Sequence, residues 1–356
     1  MPADELVPRD VLDALATNAD GADTQRQWPA ASWQVLATAS ATRWCIPRRF
    51  DGLEWGGPAL LEGYAHLASA CLTTCFLLSQ RDAACRRLRD GNNEELREEL
   101  LPALARGESF ATVGLAQLTT SRQHTRPALT ARAHRDGFLL DGVMPWVTGA
   151  AQADHFVTGA VLDDGRQVLL VVPREAEGLS VREPLDLMAL QGSLTTSVDC
   201  TQVFVDRRHV LAGPAEKVMA SPGRSGTGGL ETSCLAIGLA RAAIHHLRGE
   251  ATSRREWQAP ADRLDHAADR LWQALLDAST GCTADEATRL RAQANTLVLR
   301  AAQAALTASK GTGFLCSHPA QRWVRQAHFF LVWSCPRPAV DATLEALLPR
   351  EAESSV

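Results

Sequence analysis

The spacing of apolar residues divides the chain into three segments with different predicted structures. In the first segment, residues 58–80 are apolar on every side, which is typical of a buried helix. Residues 92–107 begin with two candidate N-caps, Asn92 and Asn93, continue with acidic residues and end at a glycine. These patterns predict an α-helical N-terminal domain over residues 1–108.

Short apolar runs separated by Asp-Gly pairs characterise the second segment. The pairs are Asp136-Gly137, Asp141-Gly142 and Asp164-Gly165. An Asp-Gly pair between two apolar runs is a strong signal for a β-hairpin. The pattern therefore predicts a middle antiparallel β domain over residues 109–212, built as a small barrel or sandwich.

Helical periodicity returns after residues 213–229, a stretch rich in Gly, Ser and Pro that is typical of a linker. Apolar residues then recur about every 3.6 positions. This period predicts a C-terminal four-helix bundle over residues 230–356. Because strands do not alternate with helices along the chain, the order favours an α+β fold and argues against a Rossmann sheet.

Composition and charge narrow the range of partners and locations. The net charge of −5 gives no reason to expect nucleic acid or an anionic membrane as a partner. The most apolar stretch, residues 67–78, is shorter than the roughly 20 residues that a membrane span needs. The first residues lack the apolar core of a signal peptide. We therefore expect a cytoplasmic protein without a membrane span.

Nine cysteines are scattered along the chain, and no two of them form a CxxC pair. Without such spacing, neither a zinc site nor a disulfide framework is predicted. Reduced thiols in a cytosolic protein are the simplest interpretation.

Two glycine-rich stretches invite a phosphate-binding interpretation, but each also has a simpler one. Residues 223–230 lack the spacing of a phosphate loop and follow no predicted strand, which favours a linker. Residues 309–314 follow a predicted helix, so they form either its C-terminal turn or an anion-binding nest of backbone N–H groups.

Six segments, taken in order, resemble the acyl-CoA dehydrogenase family over nearly the whole chain. The most specific of them, "GFLLDGVMPWVTGA" (residues 137–150), is similar to the family's "G-Y-hydrophobic-N-G-x-K-x-W-I-T-N" hairpin. The other five segments are residues 44–57, 100–121, 187–211, 238–257 and 311–330.

This resemblance implies FAD as a cofactor, held by the β domain and the C-terminal bundle, with a neighbouring subunit of a homodimer or homotetramer completing the site. It places Trp146 and Thr148 against the flavin ring, where the Thr148 hydroxyl would bond the reactive ring nitrogen. The loop containing Thr119, Thr120 and Ser121 would contact the ring edge or the pyrophosphate.

The resemblance also implies cofactor contacts from the C-terminal segment. Arg254 falls where the family has an arginine for the pyrophosphate of a partner subunit's FAD. Trp257 replaces the usual phenylalanine beside the adenine. Gly311 and Gly313 fall in the family's glycine turn, which presents backbone donors to the same phosphates.

The chain departs from the family in the loop near residue 120 and in the expected catalytic base. The family's "T-E-P-x-x-G-S-D" loop is here "AQLTTSRQ", and its "R-x-x-F-G" signature is "RREWQ". An ungapped count from Gly313 puts Ser334 at the position of the catalytic glutamate. A serine hydroxyl cannot replace that base, whose loss typically costs about 10²- to 10⁴-fold in rate.

Two other groups could supply a base. Cys335 follows Ser334, but the sequence places no obvious cation beside it. Some family members carry the base on the first helix of the bundle, which here corresponds to Gly228. Glu231 lies about one turn from that position and is a candidate, although it is also an ordinary first-turn acid favoured by the helix dipole.

Three functions remain open from the sequence. The first is flavin-dependent α,β-oxidation of an acyl thioester, bound to CoA or to an acyl carrier protein, with electron-transfer flavoprotein or oxygen as the acceptor. The second is a flavin-dependent oxidase or monooxygenase on the same fold. The third is a catalytically inactive paralogue that acts as a subunit or binding partner.

Overall fold

The computed structural model describes residues 6–119, 127–219 and 229–348. The chain forms two compact units, one made of residues 1–60 and 73–227 and the other of residues 61–72 and 228–356. Helices precede and follow a β-sheet along the chain, which confirms the predicted fold class. The finer division at residues 108, 212 and 229 stays a prediction.

Among the described residues, six α-helices lie before or within the sheet segment of the chain. They are α1 (Arg9–Thr24), α2 (Ala30–Thr38), α3 (Gly57–Ala70), α4 (Leu72–Asp90), α5 (Glu94–Arg106) and α6 (Ala116–Thr119). The ends of α5 are the ones that its sequence predicts. The Asn93 side chain accepts a hydrogen bond from the Leu96 N–H at the start, and Gly107 takes a left-handed conformation at the end.

In the part of the chain that the structure describes, eight strands form one mixed sheet. They are β1 (Ala111–Gly114), β2 (Leu129–His134), β3 (Gly137–Val147), β4 (His155–Leu162), β5 (Gln167–Pro173), β6 (Leu179–Val181), β7 (Thr196–Asp206) and β8 (Val210–Ala215). The order is β6-β7-β3-β2-β4-β5-β8, with β1 beside β4. β4 pairs in parallel with β1 and β2, whereas the other pairs are antiparallel. The expectation of a purely antiparallel domain was therefore wrong.

The three Asp-Gly pairs have three different positions. Asp164-Gly165 lies in the turn between β4 and β5. Between β2 and β3 the two turn residues are Arg135 and Asp136, and Gly137 is already the first residue of β3. Asp141-Gly142 instead lies inside β3, at an irregularity in its pairing with β7. A side chain at Gly142 would collide with the Ala128 carbonyl, so close backbone approach explains this glycine.

Helices build the C-terminal unit, in agreement with the predicted fold class. In its described residues these are α7 (Leu230–Ala251), α8 (Gln258–Ala278), α9 (Ala284–Ser309), α10 (Pro319–Phe329) and α11 (Arg337–Leu347). Among the described helices of the protein, none is both long enough and apolar enough to cross a membrane.

Gly238 lets α7 pack closely against the part of α3 that belongs to the same unit. A Cβ at Gly238 would collide with the Ala65 carbonyl oxygen. It would also lie only 2.9 Å from the Cβ of Ala68. Gly249, near the end of the same helix, has no atom within 4 Å of such a Cβ. Only the first glycine is therefore required by packing.

We predict opposite effects of alanine at these two glycines. Gly238→Ala should lower the free energy of unfolding by about 1–3 kcal/mol, because backbone must move to admit the methyl group. Gly249→Ala should raise it by up to about 1 kcal/mol through helix propensity. Urea denaturation followed by circular dichroism measures both, and equal effects would contradict the packing argument.

Candidate active site

A bulge in β3 places Trp146 and Thr148 in different surroundings. Met144 pairs with Val198 and Val147 with Thr196, so three steps along β3 match two steps along β7. Trp146 takes the extra position with a φ of 57°, and its side chain is 60% exposed. Thr148 follows the strand and is only 2% exposed. The bulge thus presents a flat aromatic surface beside a buried hydroxyl.

The Thr148 hydroxyl belongs to a chain of three buried hydroxyl groups. Thr148 Oγ1 lies 3.1 Å from Thr195 Oγ1, which lies 2.9 Å from Ser193 Oγ. The backbone holds the same residues together. The Gly149 N–H donates to the Ser193 carbonyl at 2.8 Å, and the Thr112 hydroxyl donates to the Thr148 carbonyl at 2.7 Å.

Hydrogen counting gives this chain a preferred direction. Each hydroxyl donates one hydrogen, so a row of three leaves one hydrogen at one end without an acceptor in the row. Ser193 is fully buried, and the described residues offer its hydroxyl no further bond. An unplaced buried donor costs about 1–3 kcal/mol. The favoured direction runs from Ser193 through Thr195 and leaves the spare hydrogen on Thr148, next to exposed Trp146.

Only part of the predicted loop near residue 120 can be located. Thr119 is the last residue of α6, and Thr120 and Ser121 lie outside the described residues. Gln117, which the sequence did not single out, fixes the helix that leads into this loop. Its buried amide donates to the carbonyls of Gly114 and Gly159, at 2.9 and 2.8 Å.

The structure brings Arg254 and Gly311 together in the C-terminal unit. They line a cavity of about 570 Å³ together with Glu250, Ala308, Ser309, Lys310 and Thr312. The Arg254 guanidinium is held by the Glu250 carboxylate and the Ala308 carbonyl. A Cβ at Gly311 would meet nothing within 4 Å, so backbone at this glycine is open to a ligand.

The charges around this cavity suit an anion only in part. Glu250 neutralises Arg254 and would repel a phosphate. Lys310, one of two lysines in the chain, adds an exposed positive charge that sequence analysis did not assign to the site. Lys310 lies within residues 309–314, the stretch that the sequence offers as an anion-binding nest, and this position could have indicated its place in the site. An incoming phosphate would have to compete with Glu250 for Arg254.

Gly313 and Trp257 have packing roles in the same unit. A Cβ at Gly313 would lie 2.6 Å from the Ser309 Cβ, which explains the glycine without a ligand. Trp257 packs against a small cluster of Leu247, Ala261 and Ala308. Its buried indole N–H has no acceptor among the described residues, so it retains one donor for a ligand. Contact of either residue with FAD stays a prediction.

Arg291 explains why the apolar run of residues 329–333 ends in Ser334 and Cys335. Arg291 on α9 is 1% exposed, and its Nη2 donates to the carbonyls of Phe330 and Trp333, at 3.0 and 2.8 Å. These carbonyls follow the end of α10, where backbone acceptors lack helical partners. Ser334 comes next with a φ of 42° and turns the chain toward α11.

The same arginine corrects the expectation that Cys335 has no neighbouring cation. Burial lowers the pKa of Arg291 to about 10, and the adjacent Cys335 sulfur opposes this shift. The Asn295 amide also approaches this sulfur, at 3.8 Å. The cation comes from α9, more than 40 residues earlier in the chain, so no local pattern could reveal it.

Glu231 lies in the first turn of α7, as the sequence predicted. A Cβ at Gly229 would lie 2.9 Å from Glu231 Oε2, so the carboxylate turns back toward the start of the helix. Burial is the main cause that raises the pKa of the Cys234 thiol, and the negative charge of Glu231 raises it further. That thiol donates to the Leu61 carbonyl at 2.8 Å. The catalytic role of Glu231 stays a proposal.

Comparisons with known proteins agree with this architecture, although no family model matches the chain. The chain is 22% identical to "Probable acyl-CoA dehydrogenase YngJ" of Bacillus subtilis (strain 168), over 91% of this chain and 90% of that protein. A solved glutaryl-coenzyme A dehydrogenase–glutaryl-CoA complex has a TM-score of 0.84 at 17% identity, over 97% of this chain and 95% of the other.

A third match is the solved structure of the prolyl acyl carrier protein oxidase AnaB. Its TM-score is 0.74 at 16% identity, over 95% of this chain and 98% of the other. The fold is therefore that of the acyl-CoA dehydrogenases. Together with the sequence relatives that match over most of the chain, this fold supports the resemblance to the acyl-CoA dehydrogenase family.

We predict that Arg291 holds the turn around Ser334 in place. Arg291→Met should lower the free energy of unfolding by about 2–4 kcal/mol, because one buried and one half-buried carbonyl lose charge-assisted hydrogen bonds. Arg300→Met, at an exposed position of the same helix, should change it by less than about 0.5 kcal/mol. Guanidinium denaturation compares the two variants, and similar losses for both would contradict the assignment.

Proposed function

We propose that the protein is an FAD-dependent oxidoreductase that acts on the CH–CH group next to an acyl thioester. The observation that carries this proposal is the β3 bulge, which sets exposed Trp146 beside a Thr148 hydroxyl whose hydrogen has no acceptor within its row. A flat polar ring with acceptor nitrogens fits such a surface. When bound, FAD supplies the acceptor for the hydride that leaves the substrate.

The residues of each unit have separate tasks in this proposal. Trp146 contacts the ring face, and Thr148 donates a hydrogen bond to a ring nitrogen. Lys310, Arg254 and the Gly311 backbone bind phosphate groups of the FAD that a neighbouring subunit holds. This division requires a homodimer or homotetramer, since one copy supplies ring contacts and another supplies phosphate contacts.

The proton acceptor differs from the one that the family resemblance implies. Ser334 lies at the expected position, and a hydroxyl cannot hold the α-proton of a thioester near neutral pH. Glu231 is the candidate that replaces it, because a carboxylate can accept this proton and the N-terminal turn of α7 holds it in place.

The substrate carrier and the electron acceptor follow from the relatives. A glutaryl-CoA dehydrogenase and a prolyl acyl carrier protein oxidase share the fold. We infer an acyl thioester on CoA or on a carrier protein, and electron-transfer flavoprotein or oxygen as the acceptor. A cytoplasmic location is part of the same proposal.

A flavin-dependent oxidase or monooxygenase is the second candidate function. Ser334 favours it, because activation of oxygen by reduced flavin does not require the missing glutamate. Rapid reoxidation of the reduced flavin by air distinguishes this candidate from a dehydrogenase, which passes its electrons to a partner protein.

We predict that the purified protein is yellow and that an acyl thioester bleaches its flavin under anaerobic conditions. Glu231→Gln should slow the bleaching about 10²- to 10⁴-fold without loss of bound flavin, because an amide cannot accept the proton. Glu345→Gln, at an exposed site on α11, is the matched control and should bleach normally. Stopped-flow absorbance measures both rates.

Three results would alter the proposal in different ways. Unchanged bleaching in Glu231→Gln would remove Glu231 as the base. Flavin that binds but is never bleached by CoA or carrier-protein thioesters would contradict the CH–CH assignment. Protein that does not take up FAD after reconstitution would leave the catalytically inactive paralogue as the function.

We also predict that the hydroxyl row tunes flavin binding. Thr195→Val removes the middle hydroxyl at nearly constant volume, so the Thr148 oxygen loses the donor that orients and polarises its hydroxyl toward the flavin. FAD affinity should fall about 3- to 10-fold, the effect of one net hydrogen bond. Thr201→Val, exposed on the same strand β7, should leave the affinity unchanged. Fluorescence titration with FAD measures this, and equal affinities in both variants would contradict the row's direction.

A further inference from the structure

Two thiols and a carboxylate lie together in the interior of the first unit. The Sγ atoms of Cys45 and Cys85 and a carboxylate oxygen of Asp82 all lie within 4.8 Å of one another. All three side chains are buried. Asp82 and Cys85 are three residues apart on α4, which puts them on one face of the helix. Cys45 reaches that face from the loop before Pro47.

A fourth buried side chain balances the carboxylate. Arg81 Nη1 lies 2.7 Å from Asp82 Oδ1, and both side chains have no exposed surface. The same guanidinium also donates to the Leu104 carbonyl. A buried ion pair is costly unless its geometry and hydrogen bonds are satisfied. The Arg81–Asp82 pair is electrically neutral, so the two thiols share the pocket with no unbalanced charge.

The two thiols interact directly. The hydrogen bond with Cys85, followed by burial, raises the pKa of the Cys45 thiol. Burial alone would raise the pKa of Cys85 as well, but the hydrogen bond with Cys45 and the Arg81 charge outweigh it and leave that pKa lowered. The Cys45 Sγ also lies 3.8 Å from the Asp82 carbonyl oxygen, so all three residues meet at one point of the interior.

We propose that Cys45, Cys85 and Asp82 form a binding site for a divalent thiophilic cation such as Zn²⁺. Two thiolates and a carboxylate are ligands that zinc takes in proteins, whereas Mg²⁺ and Ca²⁺ prefer oxygen alone. Binding releases the two thiol protons and changes no oxidation state. One divalent cation replaces two protons, so the buried cluster stays neutral with Arg81 and Asp82 paired.

The distances decide how much the site must contract. Ligand atoms on one tetrahedral zinc lie about 3.5–3.8 Å apart, given metal–ligand bonds of about 2.0–2.3 Å. The observed limit of 4.8 Å therefore requires movements of about 1 Å. Cys45 lies in a loop rather than a regular helix, so it can supply this movement. A water molecule or a backbone carbonyl completes four-fold coordination.

Bound metal would fasten the loop around Cys45 to α4. The two cysteines are 40 residues apart, and the segment from 41 to 50 otherwise consists of short 3₁₀ turns. We therefore assign the site a structural role, independent of the flavin chemistry proposed above. Its loss would alter stability first, and any change in flavin content would follow from that.

Cobalt is the probe of choice, because thiolate ligands give it charge-transfer absorption and a tetrahedral site gives it strong visible bands. Full-length protein in which exposed Cys282 and Cys316 are replaced by serine should be refolded with Co²⁺, since the site is buried. We expect a 1:1 complex with both features. They should be absent in Cys85→Ala, weakened in Cys45→Ala, and unchanged in Cys200→Ala, a buried thiol of the sheet.

Two further measurements keep the test independent of how well the variants fold. Zinc analysis of the same protein after dialysis should give one equivalent per chain, and Zn²⁺ should raise the thermal midpoint relative to a chelator. X-ray absorption at the zinc edge should count two sulfur neighbours. No sulfur neighbour, unchanged cobalt bands in Cys85→Ala, or a Cys45–Cys85 disulfide that forms in place of metal binding would each overturn the proposal.

Discussion

The register between β3 and β7 is the constraint on which the proposed flavin contacts depend. One extra residue on β3 between Met144 and Val147 puts Trp146 on the surface while Val147 stays in the core. The same register brings Thr195, just before β7, next to Thr148. A bulge that merely relieved strain would not also need three hydroxyl groups in a row behind it. Geometry and hydrogen bonding at this point therefore favour a ligand on the Trp146 face.

In the C-terminal unit, a turn held by buried Arg291 occupies the place where the family resemblance implies an acidic residue. Where the family resemblance leads one to expect a catalytic glutamate, buried Arg291 holds the carbonyls of Phe330 and Trp333 and directs the chain through Ser334. The guanidinium of buried Arg291 therefore stabilises this turn. The proposed base therefore lies on another element, at Glu231 in the first turn of α7.

Local features of the structure could be predicted from the sequence, because their causes are local. The Asn93 side chain caps the start of α5, Gly107 ends it in a left-handed conformation, and Asp164-Gly165 forms the turn between β4 and β5. Between β2 and β3 the turn lies one residue earlier than the Asp136-Gly137 pair, at Arg135 and Asp136. The third pair could not be interpreted correctly, because the approach of the Ala128 carbonyl to Gly142 is a tertiary contact. The parallel pairing of β4 is likewise a property of the assembled sheet.

Features that join distant parts of the chain could not be predicted. Arg291 lies on α9, far in sequence from Cys335, which it approaches in the folded chain. Lys310 can be connected with a phosphate site only because it lines the same cavity as Arg254. Cys45 and Cys85 are too far apart in sequence to resemble a metal motif, although folding brings their sulfur atoms together. The family resemblance predicts cofactor contacts for Trp146, Thr148 and Arg254, whereas the hydroxyl row behind Thr148 depends on contacts that only the folded chain shows.

A crystal structure of the protein with FAD tests the central claim most directly. The account predicts the flavin ring against the Trp146 side chain, with Thr148 Oγ1 about 2.7–3.2 Å from a ring nitrogen. It also predicts that Thr195 Oγ1 keeps its bond to Thr148. A flavin bound elsewhere, or a ring that leaves the Thr148 hydroxyl without contact, would contradict the claim that the β3 bulge forms the flavin surface.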